Sequence, residues 1–145
     1  MATDRRERGS RLDRRDRRAV VVTRRRISSG APWEAPYGYS RAIVAGDSCW
    51  VSGTADPSGE HLGDAAGQAR AAFAIIGRAL AEAGFSFEDV VRTRTYITDQ
   101  AIAPEVMAVH GEFFGSIRPA ATLVVVAALI EPGLIVEFEV DAVRR

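Results

Sequence analysis

The sequence predicts an α+β fold, a two-layer sandwich of a mixed sheet with two helices on one face. Three observations carry that expectation. Residues 121–129 are β-branched and apolar at odd and even positions alike, as in a strand buried on both faces. Residues 134–143 instead alternate Leu134, Val136, Phe138 and Val140 with Glu137, Glu139 and Asp141, the period of a strand with one core face. Two further segments, 65–83 and 103–114, repeat their apolar residues at three and four positions, the period of a helix.

In chain order, residues 20–27 read as a first strand. Residues 28–32 are a loop by composition, and 33–39 form an aromatic loop punctuated by Pro36 and Gly38. Strands at 40–44 and 48–52 make a hairpin across Gly46 and Asp47. Residues 53–59 are a loop that does not match a phosphate cradle, because Gly59 is not followed by Lys-Ser or Lys-Thr. Asp64 caps a helix that stops at Gly84 and turns Ala65, Ala69, Ala72, Phe73, Ile76, Leu80 and Ala83 inward. The strand at 90–98 carries Val91, Thr93, Thr95 and Ile97 on one side and Arg92, Arg94 and Tyr96 on the other. The second helix directs Ala103, Val106, Val109 and Phe113 inward and ends at Gly115-Ser116. Pro119 opens the run 121–129, since a proline can start a strand but cannot donate inside one. Pro132-Gly133 then turns that run back on 134–143 as a hairpin.

Two helices can cover only one face of such a sheet. The other face is expected to combine Leu123 and Val125 with a row of acids and arginines. Burying each large aliphatic side chain is worth about 1.5–3 kcal/mol, so this face is expected to be the interface of a homo-oligomer.

Composition bounds the function. A chain of 145 residues with 47% hydrophobic and 26% charged residues fits one ordinary domain. No apolar run is long enough for a membrane helix, so no membrane partner is expected and the cytoplasm is the default location. Cys49 stands alone, which excludes an internal disulfide, and His61 and His110 are too separated to suggest a metal site. All 19 basic residues are arginine; residues 1–26 hold eleven of them against four acids, an excess of +7. We therefore divide the chain into an arginine-rich disordered extension, 1–22, and a domain, 23–145. The extension lacks interleaved aromatics, so nucleic acid is expected to be touched weakly at most, through phosphate contacts of this tail.

Pro36-Tyr37, Val51-Ser52-Gly53, Gln68-Ala69-Arg70, Asp89-Val90-Val91, Phe113-Phe114, Arg118-Pro119-Ala120 and Val136-Glu137-Phe138-Glu139 occur in this order. The set resembles the Rid family of reactive-intermediate deaminases, also called YjgF or endoribonuclease L-PSP proteins, from about residue 23 to the end. The resemblance implies a chorismate-mutase-like fold and a barrel-like homotrimer with a small-molecule cleft at each subunit boundary. It also implies cofactor-free hydrolysis of enamine or imine intermediates to 2-oxo acids and ammonia. By the same resemblance Tyr37 matches the cleft tyrosine, Gly53 a glycine whose backbone contacts the ligand, and Glu137 the acid that orients or activates water. Glu137 and Tyr37 are thus the expected catalytic pair, and Trp33, Leu123 and His110 join the expected ligand-binding set. Each has a plainer alternative: a salt bridge from Glu137 to Arg92 or Arg94, loop anchoring for Trp33 and Tyr37, and a satisfied helix histidine for His110.

One position departs from the family. Where relatives carry Pro-Ala-Arg-Ser/Thr, with the arginine on the substrate carboxylate, this chain reads Pro119-Ala120-Ala121-Thr122. A guanidinium matches a carboxylate bidentately, and Ala121 offers neither charge nor donor. Losing such a bond costs about 1.5–3 kcal/mol, with Arg94 and Arg118 the arginines available to compensate. The expectation is a Rid-like hydrolase with weak or no activity on 2-aminoacrylate-type acids. The alternative is a trimer that binds a metabolite in the same clefts without turning it over, and ribonuclease activity is a third reading.

Overall fold

Asp64 begins the longest helix by the chemistry its sequence promises. Its backbone is extended, and its side chain accepts a hydrogen bond from the Gly67 amide at 2.9 Å. Gly84 ends that helix with φ 79°, a conformation glycine adopts without a Cβ penalty. The computed structural model describes residues 21–145. The elements are β1 (Arg24–Ile27), α1 (Glu34–Tyr37), β2 (Ala42–Ala45), β3 (Ser48–Thr54), α2 (Ala65–Ala83), β4 (Val90–Ile97), α3 (Ala103–Phe114), β5 (Ala120–Val125) and β6 (Val136–Val143). Residues 1–20, most of the expected arginine-rich extension, lie outside the described residues.

The strands form one mixed sheet in the order β1-β2-β3-β6-β4-β5, with β4 and β5 parallel and the other neighbours antiparallel. Helices α2 and α3 pack on one face. Phe73 of α2 lies over Phe138 of β6 with ring centroids 4.1 Å apart and meets Phe114 of α3 edge-on at 5.5 Å. Ile76, Leu80, Val106, Val136 and Val140 are fully buried around them. Polar groups that enter this core bring partners. Gln68 donates to the carbonyls of His61 and Gly133 and accepts from the Ile135 amide, tying the loop after β3 to the loop before β6. At the far end of α2, Arg25 donates to the carbonyls of Glu82 and Ala83, where a cation complements the helix dipole.

The architecture is the expected α+β sandwich, but four local expectations are corrected. The last two strands are not a hairpin: β5 lies parallel to β4, β6 inserts between β3 and β4, and residues 126–135 connect them. Alternation in a sequence sets the face each side chain takes, not which strand lies beside it. Leu123 and Val125 pair with Thr95 and Ile97, so they share the helix side, and Thr122 and Val124 join the charged side instead. Val91 is 47% exposed, because an irregularity between Val90 and Arg92 makes Val90 the buried residue. The aromatic loop contains one helical turn, α1, closed by Gly38 at φ 72°.

Candidate functional site

The bulge that ends β3 shapes the site. Val51 pairs with Val140 and Thr54 with Phe138, so three steps along β3 match two along β6. The extra residue turns Thr54 into the core and leaves Gly53 against the charged side of β6. There the Glu137 carboxyl occupies the space a Cβ on Gly53 would need. A side chain at position 53 would push that carboxyl aside.

Arg41, just before β2, locks the bulge from the other side. Its Nη1 donates to the Gly53 carbonyl at 2.7 Å and to the Thr54 hydroxyl at 2.9 Å. Tyr39 lies beneath it, with the Arg41 guanidinium carbon 5.9 Å from the ring centroid. Helix α1 holds this entry in place. Buried Glu34 accepts from the Ser29 hydroxyl at 2.6 Å and amide at 2.9 Å, and the Tyr39 amide donates to the Glu34 carbonyl at 3.0 Å. Burial pushes the Glu34 carboxyl up, but hydrogen bonds from Ser29 and Ser28 together with the charge of Arg41 outweigh it and hold it below its ordinary value.

Next to this cluster, β4 and β6 carry a second network. Arg94 lies 3.3 Å from Asp141 and 3.6 Å from Glu139, and the Tyr96 hydroxyl donates to Glu139 at 2.8 Å. That bond holds the Tyr96 phenol above its usual range. Arg94 therefore serves Glu139 and Asp141 rather than Glu137. Burial pushes the Glu137 carboxyl up, the charge of Glu139 adds to the effect, and Arg41 pulls it back. A half-buried carboxylate with raised proton affinity is suited to take a proton from water.

The other expected site residues fall elsewhere. Tyr37 is 73% exposed and stacks on Trp33 at 5.5 Å between centroids, an aromatic pair on the surface of α1. Tyr39, two residues on, is the tyrosine joined to the Gly53–Glu137 cluster through Arg41. Sequence reading passed over Tyr39 and Arg41; their position immediately before a strand was the signal available. Ala121 and Leu123 lie on edge strand β5 and face the helix side by register. Arg118 is exposed at the entrance to β5 with φ 54°. His110 is buried on the opposite face of the sheet from Glu137, its Nε2 2.9 Å from the Thr93 hydroxyl, and burial pulls its imidazole below the usual value. No cluster among the described residues has the ligand set of a metal site.

This geometry sits within a chain whose relatives are known. The family profile described as "Endoribonuclease L-PSP" matches residues 30–144. The chain belongs to the YjgF/Rid family. A crystal structure of Rv2704 from Mycobacterium tuberculosis, described as a member of the YjgF/YER057c/UK114 family, is similar at 47% identity and TM-score 0.79, covering 84% of this chain and 100% of that one. The Streptomyces coelicolor protein SCO2049, described as uncharacterized, is 40% identical over 83% of this chain and 92% of its own length. The 2-iminobutanoate/2-iminopropanoate deaminase of Bos taurus is 34% identical over 83% of this chain and 90% of its own length. The matched residues include the bulge, Glu137 and strands β2 to β6. Among the described residues no helix is long and apolar enough to cross a membrane.

Proposed function

We propose that this protein is a Rid-type hydrolase of small enamines or imines, working as a homotrimer with its sites at the subunit boundaries. The observation that carries the reading is the seat of Glu137 on Gly53. A carboxylate of raised proton affinity is held against a half-buried backbone bulge beside an arginine and a tyrosine. In the reaction Glu137 takes a proton from water as the water oxygen bonds to the imine carbon. The nitrogen takes up protons and leaves as ammonia, and the carbon becomes a carbonyl. An enamine must first be protonated at carbon to reach the imine, and the same carboxyl can deliver that proton. Tyr39, rather than Tyr37, is the tyrosine placed to hold the ligand or hand on a proton. The deaminase name of the Bos taurus relative supports this reaction class.

The boundary location rests on the sheet. Its charged face leaves Trp50 46% and Val124 41% exposed in the single chain, and β5 presents a free edge. A coupled assay tests the chemistry: an amino-acid oxidase generates the imine in situ, and 2-oxo acid release is followed with and without this protein. Acceleration that disappears in Glu137→Gln supports the reading. A rate no different from the uncatalysed one across several amino-acid precursors overturns it. Ala121 favours a second reading, a trimer that binds a metabolite without consuming it, in which a ligand raises the melting temperature and is recovered unchanged.

A further inference from the structure

We propose that Arg41 recognises the acidic group of the ligand in this site, a role that Ala121 cannot fill. The proposal rests on reading the Tyr39–Arg41–Gly53–Glu137 cluster as the ligand site. Its geometric basis is an unfinished set of hydrogen bonds. Nη1 of Arg41 is committed to the Gly53 carbonyl and the Thr54 hydroxyl. Among the described residues these are the acceptors of the whole guanidinium, and the Nε atom is buried with no partner at all. A buried donor without an acceptor is destabilising and calls for an explanation. Nε and Nη2 together form the edge of a guanidinium that matches the two oxygens of a carboxylate.

The competing arginines are placed differently. Arg94 is engaged by Asp141 and Glu139. Arg118 stands exposed at the start of edge strand β5. Arg41 alone of the three acts on the charge of Glu137. Tyr39, whose ring lies 5.9 Å from the guanidinium carbon, is 37% exposed and can swing aside to admit an oxygen. Anchoring through Nη1 matters as much as the free edge, because it fixes the plane of the guanidinium and so the direction in which the ligand lies. The acid group and Glu137 are then held by one subunit, with the reacting carbon within reach of the same carboxylate. The ligand class is a small 2-oxo or 2-imino acid with a single carboxylate.

The test compares pyruvate with its neutral amide, pyruvamide, by calorimetric titration of the full chain at pH 7. Wild type is expected to prefer the anion by about tenfold or more. Arg41→Gln should bring the ratio to about one, the anion losing more affinity than the amide. Arg41→Lys keeps the charge without the fork and should fall between, which serves if the glutamine variant folds poorly. An unchanged ratio in Arg41→Gln, no preference in wild type, or equal loss of both ligands in a folded variant would overturn the assignment. Turnover separates this from the hydrolase reading. Wild type that prefers pyruvate but never hydrolyses an imine sinks the hydrolase and leaves the role of Arg41 standing.

Discussion

The two faces of β4 and β6 come from one alternation along the same two strands, yet they are finished differently. On the helix side Thr93, Thr95, Ile97, Val136, Phe138 and Val140 are almost fully buried, and the polar Thr93 has His110 as its partner. On the other side Arg94, Tyr96, Glu137, Glu139 and Asp141 remain half-buried. Their charges are matched unevenly: Arg94 and Tyr96 share Glu139, while Glu137 rests on a glycine. A core needs volume filled and polar groups satisfied, and one chain supplies both. The open face keeps a carboxylate and a guanidinium short of partners in the single chain. One chain completes the covered side of the sheet and leaves the other side unfinished.

The largest effect should come from the core side. Phe138→Ala removes a ring packed against Phe73 and should cost about 3–5 kcal/mol of stability, read from urea unfolding. Glu139→Ala, next in the chain but on the other face, should cost less than about 1 kcal/mol. Equal costs would mean that the open face is as much a core as the covered one. Assembly comes next. Val124→Asp places a charge on the open face of the edge strand and should reduce a trimer to monomers in sedimentation velocity at micromolar concentration. A trimer that survives it would put the interface elsewhere. Glu137→Gln should lower imine hydrolysis by about 100-fold with an unchanged melting temperature. A smaller loss would demote Glu137 to a ligand contact.

How much of this was legible depends on what each pattern encodes. Asp64 and Gly84 marked both ends of α2 because capping is local chemistry. The charged row of β6 faced outward as expected, because period two sets faces wherever the strand lies. Neighbour order was not legible. The apolar run around Leu123 looked doubly buried and like half of a hairpin, and the crossover through α3 made it a parallel edge strand instead. Glu137 and Gly53 lie against each other on the charged face. The contacts of Arg41 with Gly53 and Thr54 were not legible because they depend on the bulge between Val51 and Thr54, and nothing in Val-Ser-Gly-Thr announces a shift of register. Tyr37, matched to the cleft tyrosine by the resemblance, lies on the surface of the single chain at the helical turn of α1.

The smallest predicted effect divides the two histidines, which titrate in opposite senses. His110 is 8% exposed, bonded to Thr93, and its imidazole is pulled below the ordinary value by burial. The unfolded chain therefore binds this proton more readily than the folded one. The stability His110 contributes is complete above about pH 6.5, the unfolded value, and declines as pH falls toward its lower folded value. His61 behaves inversely. Its Nδ1 lies 2.7 Å from Asp56, whose hydrogen bond raises it, so its contribution is complete below about pH 6.5 and is lost as pH rises through the higher folded value. The His61 side chain is 36% exposed and solvent partly screens its pair, so the buried histidine should dominate the acid limb. Urea midpoints between about pH 5 and 8 should fall on the acid side with a slope below about 1.4 kcal/mol per pH unit for this one proton. His110→Gln, which can still bond Thr93, should flatten that limb, and His61→Gln should steepen it slightly. A His110→Gln protein with the same acid slope as wild type would show that the proton is taken up elsewhere, and that the helix-covered face is not the dry side of the sheet.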